Sequence, residues 1–162
     1  MPLTIHPSPK HLLSAQELAA WRDVPAAVVS DELNRAGAMV AGVKSLAPGM
    51  GFVGQALTVQ CMVADNAALH YALTVAWPGA VLTADAGGFL GNAVWGGILH
   101  YAAKKAGLAA VVVDGAMRDV AEIRVSGLPA FSRGVVPTGP HKAWGGAING
   151  PIQCGGVPVA AG

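Results

Sequence analysis

This sequence has little charge. Only 12% of its 162 residues are Asp, Glu, Lys or Arg, about half the roughly 25% usual in soluble domains. The net charge is +1 and no run of Lys or Arg occurs, so there is no electrostatic footprint for DNA or RNA. Cysteine is nearly absent, with Cys61 in an expected strand and Cys154 in a Gly-rich turn. The spacing suits no metal or redox motif, and reduced thiols are expected. Long apolar runs are missing too. Residues 45–64 and 86–103 lack charges but are broken by Gly, Pro, Gln and Asn, unlike a spanning helix of roughly 20 apolar residues. MPLTIHPSPKHLL has no long apolar core and does not read as a signal peptide. The expectation is a cytoplasmic protein that binds neither membrane nor nucleic acid. Covalent catalysis lacks a candidate as well: there is no G-x-S-x-G and no Cys/His constellation. The five histidines show no H-x-x-x-H pair, which argues against zinc.

What is abundant is apolar surface, 53% of residues. With so few charges to keep molecules apart, part of that surface is expected to lie in subunit interfaces. The chain is long enough for one sizeable core. Residues 1–13 read as an extended arm. Ser14 and Glu17 form a capping box opening a short helix, and 24–37 reads as a second helix, with Pro25 in its first turn and Gly37 at its stop. Strands are expected over 52–61, 80–85, 108–114 and 128–132, and helices over 66–77, 96–107 and 119–127. The alternation argues for an α/β fold of one domain. Gly49, Gly51 and Gly54 match G-x-G-x-x-G but precede a strand instead of following one, so they mark a turn and not a dinucleotide site.

Two stretches point to chemistry. In DAGGFLGNAVWGGIL a helix starting near Gly96 and Gly97 leaves the amides of Ile98 and Leu99 without intrahelical partners. They sit at the positive end of the helix dipole, where a carboxylate or phosphate binds well. Close packing of helix on sheet is the alternative use of those glycines. In VVVDGAMRDVAEI an apolar strand ends in Asp-Gly, followed by Arg118 and Asp119. In open α/β sheets ligands gather beyond the carboxyl ends of strands. Asp119 could simply cap the next helix in a capping box with Glu122. A cap leaves Arg118 unexplained, whereas a site uses both: Arg as a planar fork for a carboxylate, Asp as a hard oxygen donor to Mg²⁺ or Mn²⁺.

The segment GGILHYAAKKAGLAAVVVDGAMRDVAEI resembles the core of the family of RraA-like proteins and class II 4-hydroxy-4-methyl-2-oxoglutarate aldolases. The likeness extends through VSDELNRAG, FVGQALTV, DNAALHYAL and PGAVLTADAGG upstream and NGPIQCGGVPV downstream. It implies one RraA-like domain over 1–162, a β/β/α sandwich of the swivelling-domain type, assembled as a homotrimer or hexamer. It also implies a metal-dependent lyase that cleaves a 2-oxo acid, by aldol cleavage or oxaloacetate decarboxylation, through a pyruvate enolate. On this chain the resemblance places Gly96, Gly97, Ile98 and Leu99 against the substrate carboxylate. It makes Arg118 the catalytic and substrate-binding residue and Asp119 the ligand of a divalent Mg²⁺ or Mn²⁺. Some RraA-like proteins instead bind and inhibit an RNA-degrading endonuclease, so a non-catalytic regulator is the alternative. The name demethylmenaquinone methyltransferase, also attached to such sequences, finds no methyl-donor site here. The chain departs from the pattern twice. Aldolase members commonly carry Asp or Glu where this chain has Gly97, which leaves the proton-handling group unassigned. The chain also stops at GGVPVAAG, where members continue, so the family's C-terminal strands are expected to be lacking.

Overall fold

The computed structural model describes residues 2–162. The arm is not featureless: Leu3–Ile5 forms strand β1. Helix α1, Ala15–Ala19, starts at the expected capping box, with Ser14 and Glu17 bonded reciprocally. Helix α2 spans Ala26–Glu32, with Pro25 at the N-cap position rather than inside the first turn. It ends well before Gly37, because Asn34 and Arg35 already adopt left-handed backbone conformations.

Strand β2 is Lys44–Ser45 and β3 is Ala56–Cys61, so the first four residues of the expected 52–61 strand are loop. Helix α3, Ala67–Ala72, covers half of the expected 66–77. Strand β4 is Val81–Asp85. A short strand not expected from the sequence, β5 at Ala93–Trp95, leads directly into α4, Gly97–Lys105. Strand β6 is Ala110–Met117, α5 is Val120–Val125 and β7 is Ala130–Val135. Strands β8 (Gly146–Ile148), β9 (Ile152–Cys154) and β10 (Val157–Val159) complete the order. Cys154 therefore lies in a strand, not in a turn. Both thiols are free.

The main sheet runs β1-β8-β3-β4-β6-β7-β2, with β5 beside β6. Its centre, β3-β4-β6-β7, is parallel, while β8 against β3 and β2 against β7 are antiparallel. Alternation along the central strands divides the interior in two. Leu82, Ala84, Val111 and Val113 join Leu69 of α3, Leu99 of α4 and Ile123 of α5 in one core. Val81, Ala110 and Val112 face Ile152 and Cys154 of the β9–β10 hairpin in another. Successive strand residues point to opposite faces, so one sheet carries helices on one side and a hairpin on the other. That is a mixed α/β structure layered β/β/α.

All eight residues of β6 are buried, as a strand covered on both faces requires. It does not stop at Asp114, where the expected 108–114 strand ends, but continues to Met117. The pairing with β7 shifts register between Val113 and Ala116 and then resumes. Gly115 is there for close approach: a Cβ at that position would sit 2.8 Å from the Ala86 Cβ. Asp114 is anchored by the Arg133 guanidinium and by the Gly155 amide at 2.7 Å. Burial opposes its ionisation, but those bonds outweigh it and hold the carboxyl below its ordinary pKa. Asp114 is thus a structural tie between β6, β7 and the hairpin. Extending β6 to Met117 delivers Arg118 and Asp119 to the carboxyl end of the central strands, beside the start of α4.

Candidate active site

Helix α4 begins without a side-chain cap of its own, at Gly96 in extended conformation. His100 is the first residue to donate back into the helix, to Gly96 O at 3.0 Å. The N–H groups of Gly97, Ile98 and Leu99 precede that bond, as expected of a helix start. The Gly97 amide is claimed from 22 residues away: it donates to Asp119 Oδ2 at 2.9 Å. Those of Ile98 and Leu99 make no hydrogen bond among the described residues.

Asp119 occupies the N-cap position of α5 yet makes no cap hydrogen bond there. Its backbone is left-handed, φ 58° and ψ 38°, a conformation that costs a non-glycine residue on the order of 1 kcal/mol or more. The capping-box alternative for Asp119 and Glu122 therefore does not hold. The kink turns the carboxylate to α4 instead of α5. Arg118 donates its backbone N–H to Trp95 O at 2.9 Å, which ties the end of β6 to β5. Its Nε lies 3.6 Å from Asp119 Oδ2, with both side chains about 40% exposed (37% and 42%). At that exposure the pair contributes little to stability. Both protein contacts of Asp119 engage Oδ2, leaving Oδ1 for something else.

The glycines of α4 make room for these side chains. A Cβ on Gly96 would lie 2.7 Å from Asp119 Oδ2 and 3.0 Å from Arg118 Cγ. A Cβ on Gly97 would lie 2.6 Å from Glu122 Oε2. In the sequence Glu122 reads only as a capping partner. The fold instead brings its carboxylate to the place where a side chain at position 97 would begin. The signal available in sequence was its spacing, one helical turn after Asp119, but nothing in the spacing says which neighbouring helix it faces.

Gly96, Arg118 and Asp119 open onto a cleft also lined by Asn66, Leu99 and Lys142, whereas Gly97 and Glu122 line the neighbouring crevice between α4 and α5. Lys142 sits on a loop held by Asp65, a carboxylate only 1% exposed that accepts from the amides of Ala67, Ala143 and Trp144 at 2.8, 2.8 and 3.1 Å. Burial and then the Lys142 charge lower the pKa of His70, so His70 is neutral near pH 7 and the cations here are Lys142 and Arg118. Together with the α4 N-terminus they favour an anionic ligand.

The donor set can be tested for a divalent cation. Asp119 Oδ1 is a hard oxygen donor, and Mg²⁺ keeps several waters and needs only one or two carboxylates. Among the described residues no group of three or more His, Cys, Asp or Glu could enclose an ion. The residues fit a hydrated hard cation and not a fully protein-coordinated one.

The mixed sheet layered between helices and a hairpin is shared with RraA-like proteins. The family model described as Aldolase/RraA matches residues 26–162, and the chain belongs to that family. A protein of Halalkalibacterium halodurans named "Putative 4-hydroxy-4-methyl-2-oxoglutarate aldolase" is 37% identical over 145 residues, 90% of this chain and 69% of that one. A like-named protein of Albidiferax ferrireducens is 35% identical over 119 residues, 68% of each chain. Among solved structures, the RNA-processing inhibitor RraA from Thermus thermophilis superposes with a TM-score of 0.78 at 31% identity, covering 86% of this chain and 85% of that one. No helix among the described residues is long and apolar enough to cross a membrane.

Proposed function

We propose that this protein is a divalent-metal-dependent lyase that cleaves a C–C bond of a 2-oxo acid and releases pyruvate. The observation that carries this reading is the diversion of Asp119 from its own helix to the Gly97 amide, at a backbone cost, in a cleft that it lines together with Arg118. A cap would need neither the strain nor the arginine. The names of the relatives point the same way.

In this reading the substrate carboxylate meets the Ile98 and Leu99 amides at the positive end of α4. Arg118 takes the 2-oxo oxygen. Asp119 would hold Mg²⁺ or Mn²⁺, and such an ion would supply Lewis-acid polarisation of the 2-oxo group. When the bond between C3 and C4 breaks, its electron pair moves into the pyruvyl half as an enolate, and the Arg118 guanidinium stabilises the oxygen that gains charge. In the aldol case Glu122 accepts the 4-hydroxyl proton as that bond breaks, and later returns a proton to C3. Oxaloacetate needs no such base, because its leaving group is carbon dioxide.

The test is pyruvate release from oxaloacetate and from 4-hydroxy-2-oxo diacids, with Mg²⁺, with Mn²⁺ and with a chelator. Glu122→Gln should lose about 10²-fold or more on the aldol substrate, in the range of one general base, and far less on oxaloacetate. Equal loss on both would remove Glu122 from proton transfer. No release under any condition would favour the regulator alternative, since the Thermus protein of the same fold is an RNA-processing inhibitor.

Self-association belongs to the same reading. Neither α1 nor α2 buries a residue, and Trp21, Val28 and Leu33 are about half exposed (54%, 48% and 55%). Light scattering at micromolar concentration should report a trimer or hexamer. A monomer would count against it.

A further inference from the structure

Behind the cleft a line of buried and partly buried hydrogen bonds joins β5, α4 and α5. Trp95 Nε1 approaches His100 Nδ1 at 3.3 Å, and the two rings meet edge to face. His100 Nε2 lies 2.7 Å from Ser126 Oγ. The Ser126 hydroxyl donates to Ile123 O at 2.8 Å and accepts the Leu128 N–H at 3.1 Å. An indole N–H can only donate, so Nδ1 must present its lone pair. The neutral ring then carries its proton on Nε2 and donates to Ser126. With the hydroxyl proton spent on Ile123, every member has one direction only.

The positions are what give this line a consequence. His100 follows Gly97 by three residues on α4, and Ser126 follows Glu122 by four at the end of α5. Trp95 directly precedes Gly96, and its carbonyl holds the Arg118 backbone. Helix α5 is six residues long and buries only Ile123, so packing alone holds it weakly against α4. Among the described residues, the one further hydrogen bond of an α4 side chain to this region is from Lys104 Nζ to Ser126 O, and it is exposed.

We propose that His100 is a positioning residue for the lyase site: its neutral Nε2–H form locks α5 to α4, and so sets the Asp119 and Glu122 carboxylates against the Gly97 amide. Protonation would place a second donor at Nδ1 against the Trp95 N–H and open the lock. The charged and titratable groups around the ring are Tyr101 and Lys104 on α4 and Glu122 on α5, which line the crevice between the helices with it. Strand β5, Ala93–Trp95, contributes none. Burial disfavours the imidazolium and lowers the His100 pKa from the ordinary 6.5, against an opposing effect of the Leu128 backbone, while Lys104 adds to the lowering. The sign follows. A lowered folded-state pKa favours the neutral ring, so the lock is intact at neutral pH and is lost as pH falls through the lowered value.

The proposal rests on the lyase reading only for its kinetic readout. His100→Gln reproduces the pattern without titrating: its amide oxygen accepts from Trp95 and its N–H donates to Ser126. His100→Leu fills the space and provides neither bond. In the wild type, ¹⁵N spectra of the ring at pH 7 should show a bare Nδ1 and a protonated Nε2. His100→Leu should lower kcat by about 10–100-fold with KM little changed, the scale of a small misplacement of catalytic groups. His100→Gln should recover most of that loss and lack the wild type's low-pH decline in kcat. A protonated Nδ1 in the neutral ring, a fully active His100→Leu or an unchanged decline in His100→Gln would overturn the proposal. If the wild type releases no pyruvate, the lyase reading has failed, and hydrogen exchange decides the lock alone. Faster exchange of the α5 amides in His100→Leu supports it, and unchanged exchange refutes it.

Discussion

Asp119→Ala is expected to abolish metal-dependent turnover while leaving the protein folded. The carboxylate has one structural bond, to the Gly97 amide at 2.9 Å, and loss of a helix-capping bond costs about 1 kcal/mol. Alanine in the left-handed backbone of residue 119 adds a similar strain. For a chain of this size each kcal/mol lowers Tm by roughly 2–4 °C, so melting should fall by only several degrees. Asp119→Asn separates the two roles. Its amide oxygen can still accept from Gly97, so stability should be close to wild type, but the charge that would hold a divalent ion is gone. Titration with Mn²⁺ should show binding in the wild type and little in either variant. Turnover by Asp119→Asn at wild-type rates would reduce Asp119 to the cap of α4.

The second large effect is expected at Arg118. Its guanidinium lies between two glycines: a Cβ on Gly96 would meet Nε at 3.2 Å, and one on Gly139 would meet Nη1 at 2.7 Å. That space suits a flat group. Lysine keeps the charge but loses the planar fork that pairs with two oxygens, so Arg118→Lys should be impaired as well. Arg118→Ala should lose about 10²–10³-fold in rate, roughly 3–4 kcal/mol, by analogy with removal of one oxyanion donor. Oxalate, shaped like the pyruvate enolate, should inhibit the wild type and bind the alanine variant far more weakly in calorimetry with Mg²⁺. Equal affinity for both proteins would take Arg118 out of the site.

Much of this arrangement is local and therefore legible in the sequence. The α1 capping box needs only Ser14 and Glu17 three residues apart. The start of α4 follows from Gly96-Gly97 before a helical run, and the burial of β6 from its unbroken apolar residues. The Arg-Asp pair stands out because a chain so poor in charge has few other uses for it. Ends of elements were less legible. α2 and α3 stop early because left-handed residues and turns outside the apolar pattern end them. Strand β5 is too short to show a period of its own.

What the sequence by itself determined is a set of elements and the residue types at their ends: an α/β order, a free helix N-terminus, and an acid and an arginine after the central strand. Tertiary structure decided what those groups face. Asp119 could cap the helix that follows it or the one that begins 22 residues earlier, and only its left-handed backbone beside α4 settles which. Glu122 lies three residues further on in sequence, yet its carboxylate comes to rest against Gly97 because α5 packs on α4. The bonds of Asp65 to Ala143 and Trp144 and the His100–Ser126 bond belong to the same class, since their partners lie 26 to 79 residues apart. Local pattern reports a side chain's periodicity and charge. The direction of its hydrogen bonds depends on which elements the core brings together, and that depends on the packing of the whole sheet.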